Sequence, residues 1–342
     1  MSCYVILNPA SGGGSGEVRW RKAEADVRKH CEAAGLEVEV LRTAAPNDAT
    51  RLTAEALQQG AAVVVAAGGD GHINEVVSGF MQHRAAGGGA APPAAARLAI
   101  LPMGTGNDFV KTLGWKAGDA QAVALRIASG KTAPLDVGCL RVLSAEAAAA
   151  LPAGGAGAGA GAAGEGEGGA GARWFCNVAS CGVGAAAARR VQTLKRWPFA
   201  YDIAAVSALL AWAPPCPWEI SVDGGAWAPL RDPTVLAVGN GKFWGGGFQI
   251  CPGAGVGSGR VEATAVQGYG VWGFLTKGHL LRAGKFLGLP GVTTHAVTSQ
   301  LTVRPAAAPG AGGWMPWEVD GEAAGEGAAV VSFVPGAIRL CV

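Results

Sequence analysis

Short apolar runs alternate with stretches of helical period over the first third of the chain. Residues 3–7 are apolar and end at Asn8-Pro9. Trp20, Ala23, Val27, Cys31 and Ala34 recur at helical spacing across 18–34, and Gly35 stops that helix. Leu36 to Leu41 alternates apolar and charged positions, as a strand does. Asn47 or Asp48 can cap a helix that runs through Leu57. Ala61 to Ala67 is an unbroken valine-rich run, the pattern of a strand buried on both faces. A helix follows over 73–83, a strand over 97–101, and helices over 108–113 and 119–129. This βαβαβ rhythm predicts a parallel sheet covered by helices on both faces.

After Asp136 the pattern changes. Residues 144–172 are almost entirely Ala and Gly, which predicts a disordered insertion, with shorter tracts at 85–96 and 306–313. From Trp174 on, short strands separated by Gly and Pro dominate, interrupted by helical stretches at 185–212 and 271–283. The domains expected are therefore 1–138, a β-rich 139–328 with one or two packed helices, and a closing segment 329–342 that can return to the first.

Composition narrows the function classes. Lys and Arg number 27 against 25 Asp and Glu, which argues against a nucleic-acid binder and against a polybasic membrane anchor. Eight cysteines include no CxxC pair, so zinc is not expected and a reducing compartment is the simpler reading. Tyr4-Val5-Ile6-Leu7 reads as a first strand rather than part of a signal peptide. The longest apolar stretch, about Ile203 to Trp212, is too short to span a bilayer. A cytoplasmic protein, at most peripheral to membranes, is the expectation, with an organellar location left open.

Candidate chemistry starts at Gly68-Gly69-Asp70-Gly71, between a buried strand and a helix. Glycine there allows a positive φ or close backbone approach to a phosphate, the helix N-terminus favours an anion, and an acid can orient Mg2+ on phosphates. Taken alone, the tetrapeptide fits an ordinary strand–helix turn as well. Two more loops, Asn8-Pro9-Ala10-Ser11-Gly12-Gly13-Gly14 and Pro102-Met103-Gly104-Thr105-Gly106-Asn107-Asp108-Phe109, also follow predicted strands. Open α/β sheets bind ligands at the carboxyl ends of their strands, so three such loops point to a nucleotide.

With these loops in view, the chain resembles the diacylglycerol kinase catalytic-domain family of lipid kinases. The resemblance rests on Gly68-Gly-Asp-Gly-His-Ile-Asn-Glu-Val-Val77, Leu101-Pro-Met-Gly-Thr-Gly-Asn-Asp-Phe109, Pro134-Leu-Asp-Val-Gly138, Asn177-Val-Ala179, Gly239-Asn-Gly-Lys-Phe-Trp-Gly-Gly-Gly-Phe248 and Asp320-Gly-Glu322. Gly114-Trp115 and Pro335-Gly-Ala-Ile338 add a likeness to plant-type sphingoid long-chain base kinases. The resemblance implies an α/β first domain with a parallel sheet of the NAD-kinase and phosphofructokinase kind, and a β-rich, sandwich-like second domain. It implies ATP and Mg2+ as cofactors and a lipid hydroxyl, of diacylglycerol or a sphingoid base, as acceptor. It places Asn8, Pro9, Ala10, Ser11, Gly12 and Thr43 at ATP. Gly69, Asp70, Gly71, His72, Ile73, Asn74 and Glu75 would wrap the phosphates, Asp70 acting on the ATP-bound Mg2+, and Thr105 would reach the nucleotide from the third loop. Asp320 and Glu322 would face the lipid hydroxyl, with Glu322 as general base. Without the resemblance, Asp320-Gly-Glu322 reads as a turn with a solvated acid.

Several positions depart from the family pattern. His72 stands where a Thr hydroxyl usually meets phosphate, and Lys111 where Arg is frequent. The loop Pro252–Glu262 has almost no oxygen side chains, so a structural Mg2+ held there in bacterial relatives is predicted absent. Ser180-Cys181-Gly182 lacks the acids that meet a sphingoid amine in sphingosine kinases, which counts against a sphingoid base, leaves a neutral glycerolipid open and conflicts with the plant-type likeness. Residues 189–218 combine Arg189, Arg190, Lys195 and Arg196 with Trp197, Phe199, Tyr201, Trp212 and Trp218, a pattern for membrane-surface docking or for a helix covering the β domain. Two rival functions stay open: NAD kinase, which shares the Gly-Gly-Asp-Gly turn, and a catalytically inactive lipid- or nucleotide-binding protein.

Overall fold

The computed structural model describes residues 1–87, 96–152, 171–194, 200–212, 217–306 and 315–342. They form two compact units, Met1–Val137 with Pro335–Val342, and Gly138–Val334.

The first unit contains β1 (Ser2–Leu7), a turn α1 (Ser11–Gly14), α2 (Gly16–Ala33), β2 (Glu37–Arg42), α3 (Asp48–Gln58), β3 (Val63–Gly68), α4 (Asp70–Ala86), β4 (Arg97–Pro102), α5 (Asp108–Thr112), α6 (Ala120–Ser129) and the start of β5 (Thr132–Val142). The sheet runs β2-β1-β3-β4, all parallel. The end of the closing strand Ala329–Cys341 lies parallel to β4, with Arg339 opposite Arg97. β3 is central and every residue of it is buried, which is why its sequence carries no polar alternation. Trp20, Ala23, Val27 and Cys31 of α2 pack on Val5, Val63, Val65 and Leu101. Each fully buried large side chain of this kind stabilises the fold by about 1.5–3 kcal/mol.

Two local expectations are corrected. Asn47 sits in the left-handed region at φ 67° and makes no side-chain cap. Instead Asp48 Oδ2 accepts from the N–H groups of Ala44 and Ala45 at 2.8 and 3.0 Å, and Glu75 Oε2 accepts from Ala49 N at 3.2 Å. The helix expected from Ile73 begins at Asp70, because the polar Asp70, Gly71 and His72 hide its first turn from an apolar-periodicity reading.

The second unit holds α7 (Ala145–Ala149), β6 (Ala172–Phe175), β7 (Val178–Gly182), α8 (Val183–Leu194), α9 (Ala200–Ala211), β8 (Trp218–Val222), β9 (Ala228–Leu230), β10 (Pro233–Gly239), β11 (Val261–Gln267), α10 (Val271–Arg282), β12 (Val292–Val297), β13 (Gln300–Pro305), β14 (Pro316–Val319), β15 (Glu322–Glu326) and the first half of β16 (Ala329–Cys341). One antiparallel sheet has the order β12-β11-β10-β7-β14-β15. A second antiparallel array runs β16-β13-β8-β9. Trp218, Leu236, Leu301, Trp317 and Val331 share one core drawn from both. This is the sandwich-like arrangement expected from short alternating strands.

The edges of the Ala/Gly tract are ordered, contrary to expectation. Leu143 N donates to Ala328 O at 2.8 Å, Ser144 Oγ caps α7 by accepting from Ala147 N at 3.2 Å, and Trp227 Nε1 donates to Pro152 O at 2.9 Å. Residues 153–170 of that tract lie outside the described residues, as do 88–95 and 307–313 of the shorter ones. The single helical stretch expected over 185–212 is two helices, α8 and α9. Among the described residues no helix is long and apolar enough to cross a membrane.

Candidate active site

The loops after β1, β3 and β4 meet because their strands are neighbours in a parallel sheet. Asn8 N donates to Ala67 O at 3.0 Å, and Met103 N donates to Gly68 O at 2.7 Å. Arg19 Nη1, on α2, donates to Met103 O at 2.9 Å and ties the first loop to the third. Asp70 Oδ1 accepts from Phe109 N at 3.2 Å, so the turn acid also fixes the start of α5.

Glycine in this turn serves close approach, not positive φ. Gly69 has φ −94° and an extended ψ. A Cβ on Gly104 would stand 2.6 Å from the Gly69 Cα, and one on Gly68 would stand 2.5 Å from the His72 ring. Ile73 N donates to Gly69 O at 2.9 Å, the first bond of α4, so the N–H groups of residues 70–72 precede the helical ladder. Such a helix start favours an anion through its N–H groups and its dipole.

The remaining residues named from the sequence divide by what they touch. Ser11 is buried, and its Oγ has no hydrogen-bond partner among the described residues. Asn8 Oδ1 accepts from Ala10 N at 3.0 Å and shapes the first loop. Thr43 N and Oγ1 both point to Leu7 O, at 2.9 and 3.4 Å, which holds the end of β2 beside that loop. Thr105 is exposed in a loop closed by Asn107, whose amide accepts from Gly104 N at 3.1 Å and donates to Gly104 O at 2.9 Å. Pro9 and Ala10 lie at the loop surface. Ile73 is a core residue, and Glu75 Oε2 accepts from Ala49 N of α3 at 3.2 Å. Lys111 Nζ makes a single 2.8 Å contact with Asp108 Oδ1.

His72 lies in the first turn of α4. It is buried, and its Nε2 lies 2.8 Å from Ile6 O. A carbonyl only accepts, so Nε2 carries the proton and donates. Burial pushes the imidazole down to about 4 from its usual 6.5, despite the bond to Ile6 O. The ring is therefore a neutral strut between α4 and β1, and a phosphate can meet His72 only through its backbone N–H. The unfolded chain takes up a proton at this residue near pH 6.5 and the folded chain only near 4, so stability is full above pH 6.5 and falls as pH drops. The expected loss approaches about 3 kcal/mol by pH 4. Urea midpoints from pH 7 to 5 should fall less steeply in His72→Asn than in the wild type; equal slopes contradict this.

In the second unit, Asp320 and Gly321 form the two-residue loop of the β14–β15 hairpin, in which Val319 pairs with Glu322. Both have positive φ, 48° and 89°. That is the conformation an Asp-Gly hairpin loop adopts, and it carries the acids from the turn into the next strand. The Asp320 carboxylate accepts from Cys176 N at 3.1 Å, Asn177 N at 3.2 Å and Val178 N at 2.8 Å. Asn177 Nδ2 donates to Phe243 O at 2.8 Å, and Asn240 Nδ2 donates to Cys176 O at 2.9 Å, so the 239–248 loop is knitted to the same corner. Glu322 is exposed beside it.

Sequence reasoning missed Glu318. It is buried, accepts from Ser180 Oγ at 2.5 Å and from Gly321 N at 2.8 Å, and so braces the turn from below. Burial pushes its carboxyl up to about 8, with Asp320 and Glu322 adding to the effect. An acid inside the otherwise apolar strand Pro316–Val319 was the available signal.

Replacing Asp320 by Ala strips three backbone donors of a charged acceptor and places Ala at positive φ. The expected cost is about 3 kcal/mol or more, read as a lower urea midpoint, with Asp320→Asn milder. An unchanged midpoint in the Ala variant contradicts the bracing role.

The basic-aromatic segment is divided. Residues 195–199, with Lys195, Arg196, Trp197 and Phe199, lie outside the described residues. Arg189 pairs with Glu326 at 3.0 Å. Trp218 is fully buried and meets Trp212 edge-on at 6.3 Å, so these two aromatics serve the core. In the loop Pro252–Glu262 the carboxylate is Glu262, half-buried, raised by that burial and accepting from Thr264 Oγ1 at 3.3 Å.

Comparison with known proteins follows the two units. Residues 2–140 match the family described as diacylglycerol kinase catalytic domain, and 177–342 match the YegS C-terminal NAD kinase beta sandwich-like domain. A Stenotrophomonas maltophilia protein named "Probable lipid kinase YegS-like" is 29% identical over 98% of this chain and 94% of its own. A Klebsiella pneumoniae protein of the same name is 30% identical over 77% and 73%. The crystal structure of a diacylglycerol kinase from Bacillus anthracis superposes with a TM-score of 0.61 at 16% identity, covering 99% of this chain and 96% of that one.

Proposed function

We propose, for a chain that belongs to the family of diacylglycerol kinases and YegS-like lipid kinases, that it transfers the γ-phosphoryl group of ATP to the hydroxyl of a neutral glycerolipid. The observation that carries this reading is the meeting of three loops around the start of α4, where Gly69 and Gly104 leave room for nothing larger than hydrogen. A phosphate needs that kind of backbone approach, and the buried Ser11 hydroxyl offers an unused hydrogen bond beside it. Asp70, half-exposed at the helix start, suits Mg2+, which takes one or two carboxylates and fills its shell with phosphate oxygens and water. When bound, Mg2+ would neutralise charge on the β- and γ-phosphates.

Glu322 takes the proton of the lipid hydroxyl as that oxygen bonds to the γ-phosphorus, and the bond from phosphorus to the bridging oxygen breaks to leave ADP. Asp320 does not compete for the role, because its carboxylate is engaged with three backbone N–H groups. It acts by holding Glu322 in place. The choice of glycerolipid over sphingoid base rests on Ser180 and Cys181, which are buried and uncharged where an amine would need an exposed acid. The substrate sits in a bilayer, so the reaction takes place at a membrane surface.

Purified protein incubated with γ-labelled ATP, Mg2+ and diacylglycerol, ceramide, a sphingoid base or NAD in turn tests this reading. Label is expected in the diacylglycerol product. Transfer to NAD would establish the nicotinamide kinase instead, and ATP binding without transfer to any acceptor would establish an inactive binding protein.

A further inference from the structure

We propose that the outer face of α10, with the end of α9, is an interfacial anchor that seats the second unit on an anionic bilayer. Helix α10 is apolar on both sides. Val271 and Phe274 join Leu209 of α9 and Trp212, just beyond its end, in one cluster, while Leu280 and Leu281 pack on a neighbouring one. The other side, at positions 272, 275, 276 and 279, is exposed and carries Trp272 at 77% and Leu275 at 59% of full exposure. Leu210 of α9, 73% exposed, follows Leu209 in the shared cluster and so lies at the Trp272 end of the helix pair. The pair is locked antiparallel by Arg282, whose Nη2 reaches both Asp202 carboxylate oxygens at 2.7 and 2.9 Å.

Charge identifies the partner. From Ala263 to Trp317 the sequence contains no Asp or Glu, but it contains Lys277, Arg282, Lys285 and Arg304. Arg282 is paired with Asp202 and Arg304 with Glu219, so the excess of positive charge beside the apolar face comes from Lys277 and Lys285. Lys277 Nζ stands 5.0 Å from the Tyr269 ring centroid, which keeps it beside α10. An exposed Trp with leucines and lysines on a helix too short to cross a membrane has the chemistry of a helix lying in the headgroup layer. Anionic headgroups attract the lysines, and the indole suits the boundary between water and acyl chains. The inference deepens the lipid-kinase reading, because a face seated on the bilayer would place the catalytic chain at its substrate, but its observations are independent of catalysis.

The test is co-sedimentation of the full chain with vesicles of phosphatidylcholine alone and of phosphatidylcholine with phosphatidylserine, next to phosphoryl transfer to diacylglycerol dispersed in detergent micelles. Trp272→Glu with Leu275→Glu should weaken sedimentation with the anionic vesicles by about tenfold or more. Lys277→Glu with Lys285→Glu should remove the preference for phosphatidylserine. Both variants should keep wild-type transfer in micelles, which also shows that they fold. Wild-type sedimentation of the Trp272/Leu275 variant, or a wild type that ignores both vesicles, overturns the anchor and leaves the kinase reading standing. A dimer in solution that this variant abolishes, with vesicle binding unchanged, would show a second copy of the chain to be the occupant and would likewise overturn it. Absence of transfer in micelles by the wild type would sink the kinase reading instead.

Discussion

Glu322→Gln is expected to lower kcat for phosphoryl transfer to diacylglycerol by about 10²–10⁴, the range that a positioned general base supplies. Its ATP affinity and urea midpoint should match the wild type. The expectation follows from the contrast between two acids one residue apart. Asp320 is anchored to the N–H groups of residues 176–178, whereas Glu322 is exposed. Loss of Asp320 should therefore lower stability and activity together, and loss of the Glu322 carboxylate should lower activity alone. Substitution by Gln preserves size, and it removes the charge and the capacity to take a proton while turning one acceptor oxygen into an NH2 donor. Equal activity in the Gln variant would show that the proton goes elsewhere.

Gly104→Ala should part the loops after β3 and β4. The added Cβ would stand 2.6 Å from the Gly69 Cα and 3.0 Å from Asn107 Oδ1. The nearest of these is backbone, so the loops themselves must part. Overpacking of this kind destabilises by about 1–3 kcal/mol. The larger effect should fall on nucleotide binding, because Gly104 N and O are both fastened to the Asn107 amide and any shift alters the whole loop from Gly104 to Asn107. KM for ATP is expected to rise by about tenfold or more, since a displacement near 1 Å in a positioning loop costs on the order of 10²-fold in rate. A Gly104→Ala enzyme with wild-type KM would remove close approach as the reason for glycine here.

The periodicity of apolar positions was enough to read the parallel sheet of the first unit. Its central strand is buried on both faces, and Trp20, Val27 and Cys31 all lie on the buried side of α2. The three loops were legible for the same reason, since strand ends in a parallel sheet place successive loops on one edge. The direction of individual side chains was not. His72 and Glu75 lie in a motif that looks dedicated to phosphate, yet one faces Ile6 O and the other Ala49 N. Local sequence does not encode which face of α4 meets β1 and α3. Glu318 was hidden differently: its burial depends on Ser180, which is 138 residues away in the chain. Trp212 and Trp218 had the composition of a membrane belt but the packing of a core, and among the described residues of the second unit the exposed aromatic is Trp272, on a helix that carried no motif.

The central claim is that this chain moves the γ-phosphate of ATP onto a glycerolipid hydroxyl with Glu322 taking the proton. The most direct measurement is single-turnover transfer of label from γ-labelled ATP to diacylglycerol in detergent micelles, by wild type and Glu322→Gln side by side. The account predicts label in the organic-soluble product at a rate that the variant lowers by about 10²-fold or more with ATP binding intact. Label that stays with nucleotide or appears as free phosphate in the wild type, while ATP remains bound, would contradict it.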